Sequence, residues 1–305
     1  MPVPVGNFPL GKTSILVSPL GIGTNAWGRA GRPRPELRQV FEAALSRGIN
    51  FFDTAEVYGG GGSERTLGAF LAGSRAGGER PVVLSKFFPM PWRLRKGALI
   101  DALKRSLDRL RLPSLDVYLI HFPWGPVAIE TWVDALADAA SAGLVRAVGV
   151  SNYTGDQVRR AHAVLASRSM PLACNEVELS LARRGAEKNG TLAACRELGV
   201  TVIAYRPLAL GRLTGVSSKP AHGWRKLMAS SMGSAVSLAD TLQEIGRAHE
   251  GRSASQVALN WVICKGALPI PGATSVEHLQ ENAGVLGWRL SESDVAALDA
   301  AAGHP

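Results

Sequence analysis

The chain has 305 residues, 46% of them hydrophobic, which is enough to bury a large core, and we expect one domain over residues 1–305. Its formal net charge is +9, but the arginines are scattered through segments of helical spacing and do not alternate with aromatic residues. The charge therefore does not indicate a nucleic-acid partner, and anionic small molecules such as phosphorylated cofactors account for it equally well.

Eight short apolar or β-branched segments alternate with segments of helical spacing along the whole chain, which is typical of parallel strands joined by crossover helices. Eight such units in about 300 residues favour a closed barrel over an open sheet. We therefore predict an α/β protein, a (β/α)8 TIM barrel. The predicted strands are VSPLGIGT, INFFDTA, PVVLSKF, LDVYLIHF, VRAVGVSN, LACNEVEL, VTVIAY and ALPIPGA.

Several segments between and after these strands have clear end signals. PELRQVFEAALSRG begins with proline and closes with Gly48, as a helix does, and ALIDALKRSLDRLRL has apolar residues at helical spacing. Residues 211–237 break the periodicity and predict a long loop after the seventh strand, over the barrel mouth. The tail LSESDVAALDAAAG predicts an extra C-terminal helix capped by Ser291 or Ser293.

Two other classes of protein find little support. The three cysteines, Cys174, Cys195 and Cys264, have neither disulfide-framework nor zinc-ligand spacing, so we expect a reducing compartment. No apolar stretch is long enough to cross a bilayer, and the N-terminus lacks the features of a signal or transit peptide. We expect no membrane association and a cytoplasmic location, or the plastid stroma if the source is a plant or an alga.

The segment GIGTNA, residues 21–26, formally matches a dinucleotide-binding fingerprint. That motif requires a helix immediately after it, and Pro33 and Pro35 follow instead. The glycines after Tyr58 lack the Lys-Ser/Thr ending of a phosphate-binding loop. Neither segment therefore predicts a nucleotide-binding open sheet.

In a barrel of this kind the functional side chains come from the carboxyl ends of the strands and the loops that follow. The polar residues at those positions form a coherent set, although each one alone could be a cap, a loop anchor or a satisfied core residue. They are Asp53, Tyr58, Lys86, His121, Ser151, Asn152, Asn175, Glu176 and Tyr205.

Four of these residues can deliver a proton to a carbonyl oxygen without a metal. Tyr58 would be the acid, and the ammonium of Lys86 would favour its phenolate form. Asp53 would hold Lys86 charged and oriented. His121 would position the carbonyl oxygen and help to carry the charge that develops there.

The segments DTAEVYGGGGSE, LSKF, YLIHFP, GVSNY, AYRPLALGRLTG and IPGATSVEHLQEN resemble the aldo-keto reductase family along almost the entire chain. LNWVICKGALPIPGA and LGWRLSESDV are similar to the plant and algal plastid members, some of which are pyridoxal reductases. The resemblance implies reduction of an aldehyde or ketone with NADP(H), and gives Asp53, Tyr58, Lys86 and His121 the catalytic roles.

The resemblance also implies a set of cofactor contacts. Ser151 and Asn152 would hold the nicotinamide carboxamide, Tyr205 would stack on the ring, and the segment from Leu208 to Leu213 would lie along the pyrophosphate. The full predicted set is Gly23, Thr24, Asp53, Ser151, Asn152, Glu176, Tyr205, Arg206, Pro207, Leu208, Gly211, Arg212, Gly272, Thr274, His278, Glu281 and Asn282.

The chain departs from the family pattern at two places. Glu176 stands where the family usually has Gln, and an ionised Glu cannot donate a hydrogen bond to the carboxamide, so Glu176 is either neutral or weakens cofactor binding. Ala273-Thr274-Ser275 stands where relatives place the Lys or Arg that holds the 2′-phosphate. The resemblance implies NADP(H), and the missing basic residue leaves NAD(H) as an alternative.

Aromatic residues just past the strand ends are candidates for the substrate wall beside Tyr58 and His121: Trp27, Phe87, Trp92, Phe122 and Trp124. Two alternatives to a broad carbonyl reductase stay open. One is an auxiliary subunit that senses the cofactor, like the potassium-channel β subunits that share this barrel. The other is a dedicated pyridoxal reductase. Both a monomer and a homo-oligomer are compatible with the sequence.

Overall fold

A computed structural model describes residues 6–28, 35–73, 80–211, 213 and 233–303. Eight parallel strands, β3 to β10, form one sheet in which each strand pairs with the next along the chain. The last strand returns to the first, because Gly23 and Gly272 form a parallel bridge and Gly23 N donates to Pro271 O at 3.1 Å. The predicted (β/α)8 barrel is confirmed. Its strands are β3 Gly21–Gly23, β4 Phe51–Asp53, β5 Val82–Phe87, β6 Leu115–Ile120, β7 Val145–Ser151, β8 Leu172–Glu178, β9 Thr201–Tyr205 and β10 Ala267–Pro269.

Before the barrel, β1 (Phe8–Pro9) and β2 (Leu16–Val17) form a short antiparallel hairpin. The hairpin contacts the amino ends of two barrel strands, since Gly11 N donates to Thr201 Oγ1 at 2.7 Å and Gly11 packs against Ala173. It therefore lies at the barrel end opposite to the carboxyl ends of the strands. The predicted first strand included residues 17–20, and the structure corrects it, because Val17 pairs in the hairpin and Pro19 separates it from β3.

Helices surround the barrel, and the two that the sequence predicted in detail are present. The C-terminal helix is also confirmed: Ser291 is its N-cap and forms a capping box with Asp294. The described helices are α1 Pro35–Ser46, α2 Gly62–Gly73, α3 Gly97–Leu110, α4 Ile129–Ser141, α5 Gly155–Ser167, α6 Gly185–Lys188, α7 Thr191–Leu198, α8 Gly233–Ala248, α9 Ala254–Cys264, α10 Val276–Ala283 and α11 Glu292–Ala301.

The long loop predicted after the seventh strand falls mostly outside the described residues, which exclude 212 and 214–232. The predicted end of the loop at residue 237 is wrong, because α8 begins at Gly233 and residues 233–237 are helical. Within the described part of the chain, no helix is long and apolar enough to cross a membrane.

Close helix packing gives a test of the fold. A Cβ on Gly68, inside α2, would lie 2.5 Å from Arg109 O and 2.8 Å from Leu110 Cα at the end of α3. Because both atoms belong to the backbone, Gly68→Ala forces the helices apart, and we expect a loss of about 1–3 kcal/mol of unfolding free energy in urea titrations. Gly97→Ala, at the open start of α3, is the matched control and should be neutral or stabilising. Equal stability of both variants would contradict the packing.

Candidate active site

A cavity of about 770 Å³ opens at the carboxyl ends of the barrel strands. The segments that follow most of these strands contribute to its wall, so the barrel itself positions the cavity. Among the described residues its lining is Gly23, Asn25, Ala26, Asp53, Tyr58, His121, Phe122, Ser151, Asn152, Glu176, Tyr205, Arg206, Pro207, Leu208, Leu210, Gly211, Ser255, Ile270, Pro271, Gly272, His278, Glu281 and Asn282.

One ammonium and two carboxyl groups meet at the base of this cavity, where Asp53 and Glu176 belong to the lining and the fully buried Lys86 lies behind them. Lys86, at the end of β5, is fully buried and donates to Asp53 Oδ1 and, at 3.1 Å, to Thr54 O. Glu176 Oε2 lies 3.2 Å from the same Nζ, but no hydrogen bond to this oxygen is formed within the described structure. Strands β4, β5 and β8 thus bring three ionisable groups together in a place from which water is excluded.

Tyr58 extends this cluster toward the cavity. Its Oη lies 3.4 Å from Lys86 Nζ. Burial raises the pKa of the Tyr58 hydroxyl well above its usual range, and the Lys86 charge opposes this only in part. The effect of Lys86 has the direction expected from the sequence, but burial outweighs it. Tyr58 is therefore fully protonated at neutral pH and has its proton available.

His121 lies beside Tyr58, with ring centroids 5.8 Å apart and planes nearly perpendicular. Its backbone N donates to Phe87 O at 2.8 Å, which fixes its position at the end of β6. Burial and then the Lys86 charge lower the pKa of His121 to about 3. The imidazole is neutral at physiological pH, so one ring nitrogen can donate a hydrogen bond without adding charge.

The neutral state of His121 leads to an expected titration. The imidazole resonances of His121, assigned by their loss in His121→Gln, should not shift between pH 5 and pH 8, where an ordinary histidine titrates with a pKa near 6.5. NMR of the ring protons measures this directly. Because the unfolded chain binds a proton near pH 6.5 and the folded chain does not, His121 should also lower the stability of the fold as the pH falls below that value. A midpoint above pH 5.5 would contradict the burial argument.

The two carboxyl groups on Lys86 have unusual proton affinities. Burial raises the pKa of Glu176 to about 8, and the nearby charge of Asp53 acts in the same direction, against Lys86. Burial also raises the pKa of Asp53, while the charge of Lys86 lowers it. Two carboxylates beside one ammonium carry an excess negative charge, which favours one retained proton. The raised pKa of Glu176 favours the neutral alternative considered from the sequence.

A second polar group lies on the neighbouring wall. Asn152 Nδ2 donates to His121 O and to Ser151 Oγ, both at 3.0 Å, and Tyr205 Oη donates to Asn152 Oδ1 at 2.9 Å. Ser151 Oγ in turn donates to Glu176 O at 3.0 Å. Asn152 has a left-handed φ of 62°, a costly backbone conformation that is concentrated at functional sites.

The model of the Aldo/keto reductase family matches residues 19–302, which is most of the chain. The chain belongs to the aldo/keto reductase family. It is therefore an oxidoreductase, and members of this family generally use NADP(H).

Individual relatives of this aldo/keto reductase match over nearly its full length. It is 40% identical to a protein named chloroplastic pyridoxal reductase from Arabidopsis thaliana, with 94% of this chain and 84% of the relative covered. It is 33% identical to a 6-dehydroglucose reductase from Novosphingobium aromaticivorans, with 100% and 98% covered. A crystal structure of an aldo/keto reductase from Klebsiella pneumoniae, in complex with NADP and acetate, has a TM-score of 0.78 at 28% identity, with 98% and 96% covered.

The aldo/keto reductase cavity brings together most of the cofactor contacts predicted from the sequence. Arg206 lies half-exposed at its edge, 3.6 Å from Glu178. Asn282 Nδ2 donates to Gly272 O at 3.4 Å, which joins α10 to the segment after β10. The predicted contacts in the cavity wall are Gly23, Asp53, Ser151, Asn152, Glu176, Tyr205, Arg206, Pro207, Leu208, Gly211, Gly272, His278, Glu281 and Asn282.

Two predicted cofactor contacts are absent from the described lining, and a third lies outside the described residues. Thr24 is fully buried behind Asp53, where its Oγ1 donates to Asp53 O at 2.7 Å and contacts Ser63 Oγ. Thr24 therefore supports β4 rather than facing the cavity. Thr274 is exposed and outside the lining. Arg212 lies outside the described residues.

The predicted substrate wall needs a larger correction. Trp27 belongs to the core, where its Nε1 donates to Ala273 O at 2.8 Å and its ring packs on Phe70. Phe87 is also buried, against Trp132. Trp92 is 73% exposed and outside the cavity lining. Trp124 is exposed and also outside that lining, so Phe122 alone of the predicted aromatic residues joins Tyr58 and His121 there.

Phe122 continues outward as a stack of aromatic rings. His121 and Phe122 stack at 4.9 Å, and Phe122 and Trp124 stack at 4.2 Å. Phe88 contacts all three rings edge-on. Phe88 was not among the residues predicted from the sequence, because position past a strand end does not by itself show which of Phe87 and Phe88 faces His121.

Other lining residues were also missed. The signal for most of them was position, because they directly follow the first and last barrel strands or the seventh-strand residues already selected. Ser255 had no such signal: α9 brings it to the cavity only after the chain has folded. The missed residues are Asn25, Ala26, Leu210, Ser255, Ile270 and Pro271.

Proposed function

We propose that this protein reduces an aldehyde or ketone to an alcohol with NADPH, and that Tyr58 is the acid. The observation that carries the proposal is the contact of Tyr58 Oη with Lys86 Nζ, 3.4 Å apart, on a cavity floor that also holds Asp53 and His121. The reduced nicotinamide supplies a hydride to the carbonyl carbon. The side chains of this protein position the carbonyl group, donate the proton and stabilise the resulting charge.

The residues on the floor divide these tasks. Neutral His121 holds the carbonyl oxygen near Tyr58 by a hydrogen bond, and the Tyr58 hydroxyl gives its proton to that oxygen. The phenolate that remains is stabilised by Lys86, whose charge Asp53 maintains. Because the cluster is buried, these charges act without screening by water.

The residues of the cavity wall fit a nicotinamide cofactor. Ser151 and Asn152 present hydroxyl and amide groups, Glu176 has a buried oxygen without a hydrogen-bond partner in the described structure, and Tyr205 offers a ring face. The left-handed backbone at Arg206, Ala209 and Leu210 lies on one side of the same cavity, as expected of a loop shaped for a ligand. We propose NADPH as the preferred cofactor. NADH should be accepted more weakly, and it is accepted at all because position 274 has Thr in place of a Lys or Arg that would hold the 2′-phosphate.

A flat aromatic aldehyde is the second, narrower candidate for the substrate. The stacked rings of Phe122 and Trp124 continue from His121 and provide a face for such a ring. The relative from Arabidopsis thaliana is named as a pyridoxal reductase. Pyridoxal is such an aldehyde, and we propose a plastid location if the source is a plant or an alga.

Steady-state oxidation of NADPH and NADH, followed at about 340 nm with benzaldehyde, methylglyoxal, a 6-carbon sugar aldehyde and pyridoxal, tests the proposal. We expect sustained turnover with NADPH and the highest kcat/KM for an aromatic aldehyde. Trp124→Ala, which removes the outer ring of the stack, should raise KM for pyridoxal more than for methylglyoxal. Tight cofactor binding with a single burst and no further turnover would reject the proposal in favour of a cofactor-sensing subunit.

A further inference from the structure

Glu176 is an unusual neighbour for the ammonium of Lys86. Asp53 already accepts a hydrogen bond from Lys86 Nζ, and Glu176 Oε2 lies 3.2 Å from the same atom. All three side chains are 3% exposed or less. A buried cluster with two carboxylates and one ammonium has a net charge of −1, and a low-dielectric interior makes that charge costly.

A retained proton removes this cost. Both carboxyl groups lie beside the same Lys86 Nζ, so one proton retained on the pair leaves the cluster neutral. A neutral glutamic acid also has one donor and one acceptor, as a glutamine amide does, whereas a glutamate has acceptors only. The protonated Glu176 can therefore make the hydrogen bonds that a Gln side chain at this position would make.

The other groups around Glu176 do not supply a competing positive charge. β7 and the residue after it contribute the uncharged Ser151 and Asn152, and Glu178 on β8 pairs with Arg206 at the cavity edge. The ionisable groups that interact with Glu176 are Asp53 from β4, Tyr58 from the turn after β4, Lys86 from β5, Cys174 from its own strand and Tyr205 from β9.

We propose that Glu176 is a positioning residue that remains a carboxylic acid at neutral pH beside Lys86 and Asp53, and slows the reduction when it releases its proton to solvent in mildly alkaline solution. The kinetic part rests on the proposed function. Its cause is electrostatic: an ionised Glu176 adds a negative charge near Tyr58 and destabilises the phenolate left by proton transfer. The chain thus contains a pH-dependent control that a glutamine at this position cannot provide.

The protonation of Glu176 is tested first, without any cofactor or substrate. In protein labelled with ¹³C at the glutamate carboxyl carbons, we expect one resonance to titrate near pH 8. That resonance should be absent in Glu176→Gln and retained in Glu178→Gln, the matched control two residues along β8, whose carboxylate is about one-third exposed. If every glutamate carboxyl has titrated by about pH 6, Glu176 has no retained proton and the proposal is wrong.

The kinetic consequence is tested by comparing pH profiles of kcat/KM for one aldehyde. We expect the wild-type value to fall about tenfold between pH 7 and pH 9.5, and the Glu176→Gln value to fall less than about threefold. Identical profiles would overturn the control of the reaction by Glu176. A protein that reduces no carbonyl but shows the titration near pH 8 would instead refute the proposed function alone.

Discussion

Replacing Tyr58 with Phe is expected to lower kcat by about 10³-fold, because the variant keeps the ring and loses the only proton that Lys86 helps to release. Tyr58 Oη is 3.4 Å from Lys86 Nζ, and the ring packs edge-on against His121. Phenylalanine retains the ring contact, so the loss reports proton donation rather than a change of shape. Steady-state oxidation of NADPH with an aromatic aldehyde measures the effect.

Cofactor binding provides the control for this variant. Tyr58 belongs to the floor of the cavity, while the proposed carboxamide contacts are Ser151 and Asn152 on β7 and the residue after it. Binding of NADPH to Tyr58→Phe, followed by quenching of tryptophan fluorescence, should therefore change less than about threefold. Wild-type kcat in Tyr58→Phe would show that another group is the acid.

Replacing Lys86 with Met is expected to destabilise the fold by about 3–5 kcal/mol, because the two buried carboxyl groups lose their only counter-charge within the described cavity floor. Met preserves most of the side-chain volume, so packing changes little. The loss should grow as the pH rises. With Lys86 absent, the pKa values of Asp53 and Glu176 lie further above those of the unfolded chain, and the folded state then binds more protons than the unfolded state over a wider range.

A double variant separates the charge from the packing. Lys86→Met with Asp53→Asn removes the ammonium together with one carboxylate and leaves Glu176 as a neutral acid. We expect the double variant to be more stable than Lys86→Met alone in urea titrations at pH 8, despite carrying one more substitution. If the stability losses of Lys86→Met and Asp53→Asn, each measured alone, add up in the double variant, Lys86 stabilises the barrel by packing and not by its charge.

Much of the fold followed from the sequence because its signals are local. Strand-length apolar segments and helix caps, such as the capping box at Ser291, depend on residues close together in the chain. The predicted start of the first barrel strand at residues 17–20 was wrong because Val17 pairs with Phe8 in the hairpin and not with a barrel strand. Val17 looks like a barrel-strand residue whichever partner it finds.

The functional site was likewise predicted only in part. Strand ends located the cluster of Asp53, Lys86 and His121, since parallel strands in a barrel all present their carboxyl ends at one face. The direction of a side chain past a strand end was not predictable by position alone. Phe87 faces Trp132 in the core, whereas the next residue, Phe88, contacts His121 and the rings beyond it.

Glu176 shows most clearly what the sequence alone could not decide. Its presence in place of Gln was visible in the sequence, and two protonation states were compatible with it. The choice between them required the spatial contact of β8 with the ends of β4 and β5, where Lys86 and Asp53 meet Glu176 in the absence of water. Residues 123 positions apart in the chain, such as Asp53 and Glu176, give no local signal of such a contact.

The most direct test of hydride transfer to a carbonyl uses NADPH carrying two deuterium atoms at C4 of the nicotinamide. The protein is incubated with this cofactor and an aromatic aldehyde in ordinary water, and the alcohol is analysed by mass spectrometry. We predict one deuterium on the alcohol carbon of each product molecule and loss of product formation in Tyr58→Phe. Bound cofactor with no labelled alcohol across the aldehyde panel would contradict the assignment of this cavity as a carbonyl reductase site.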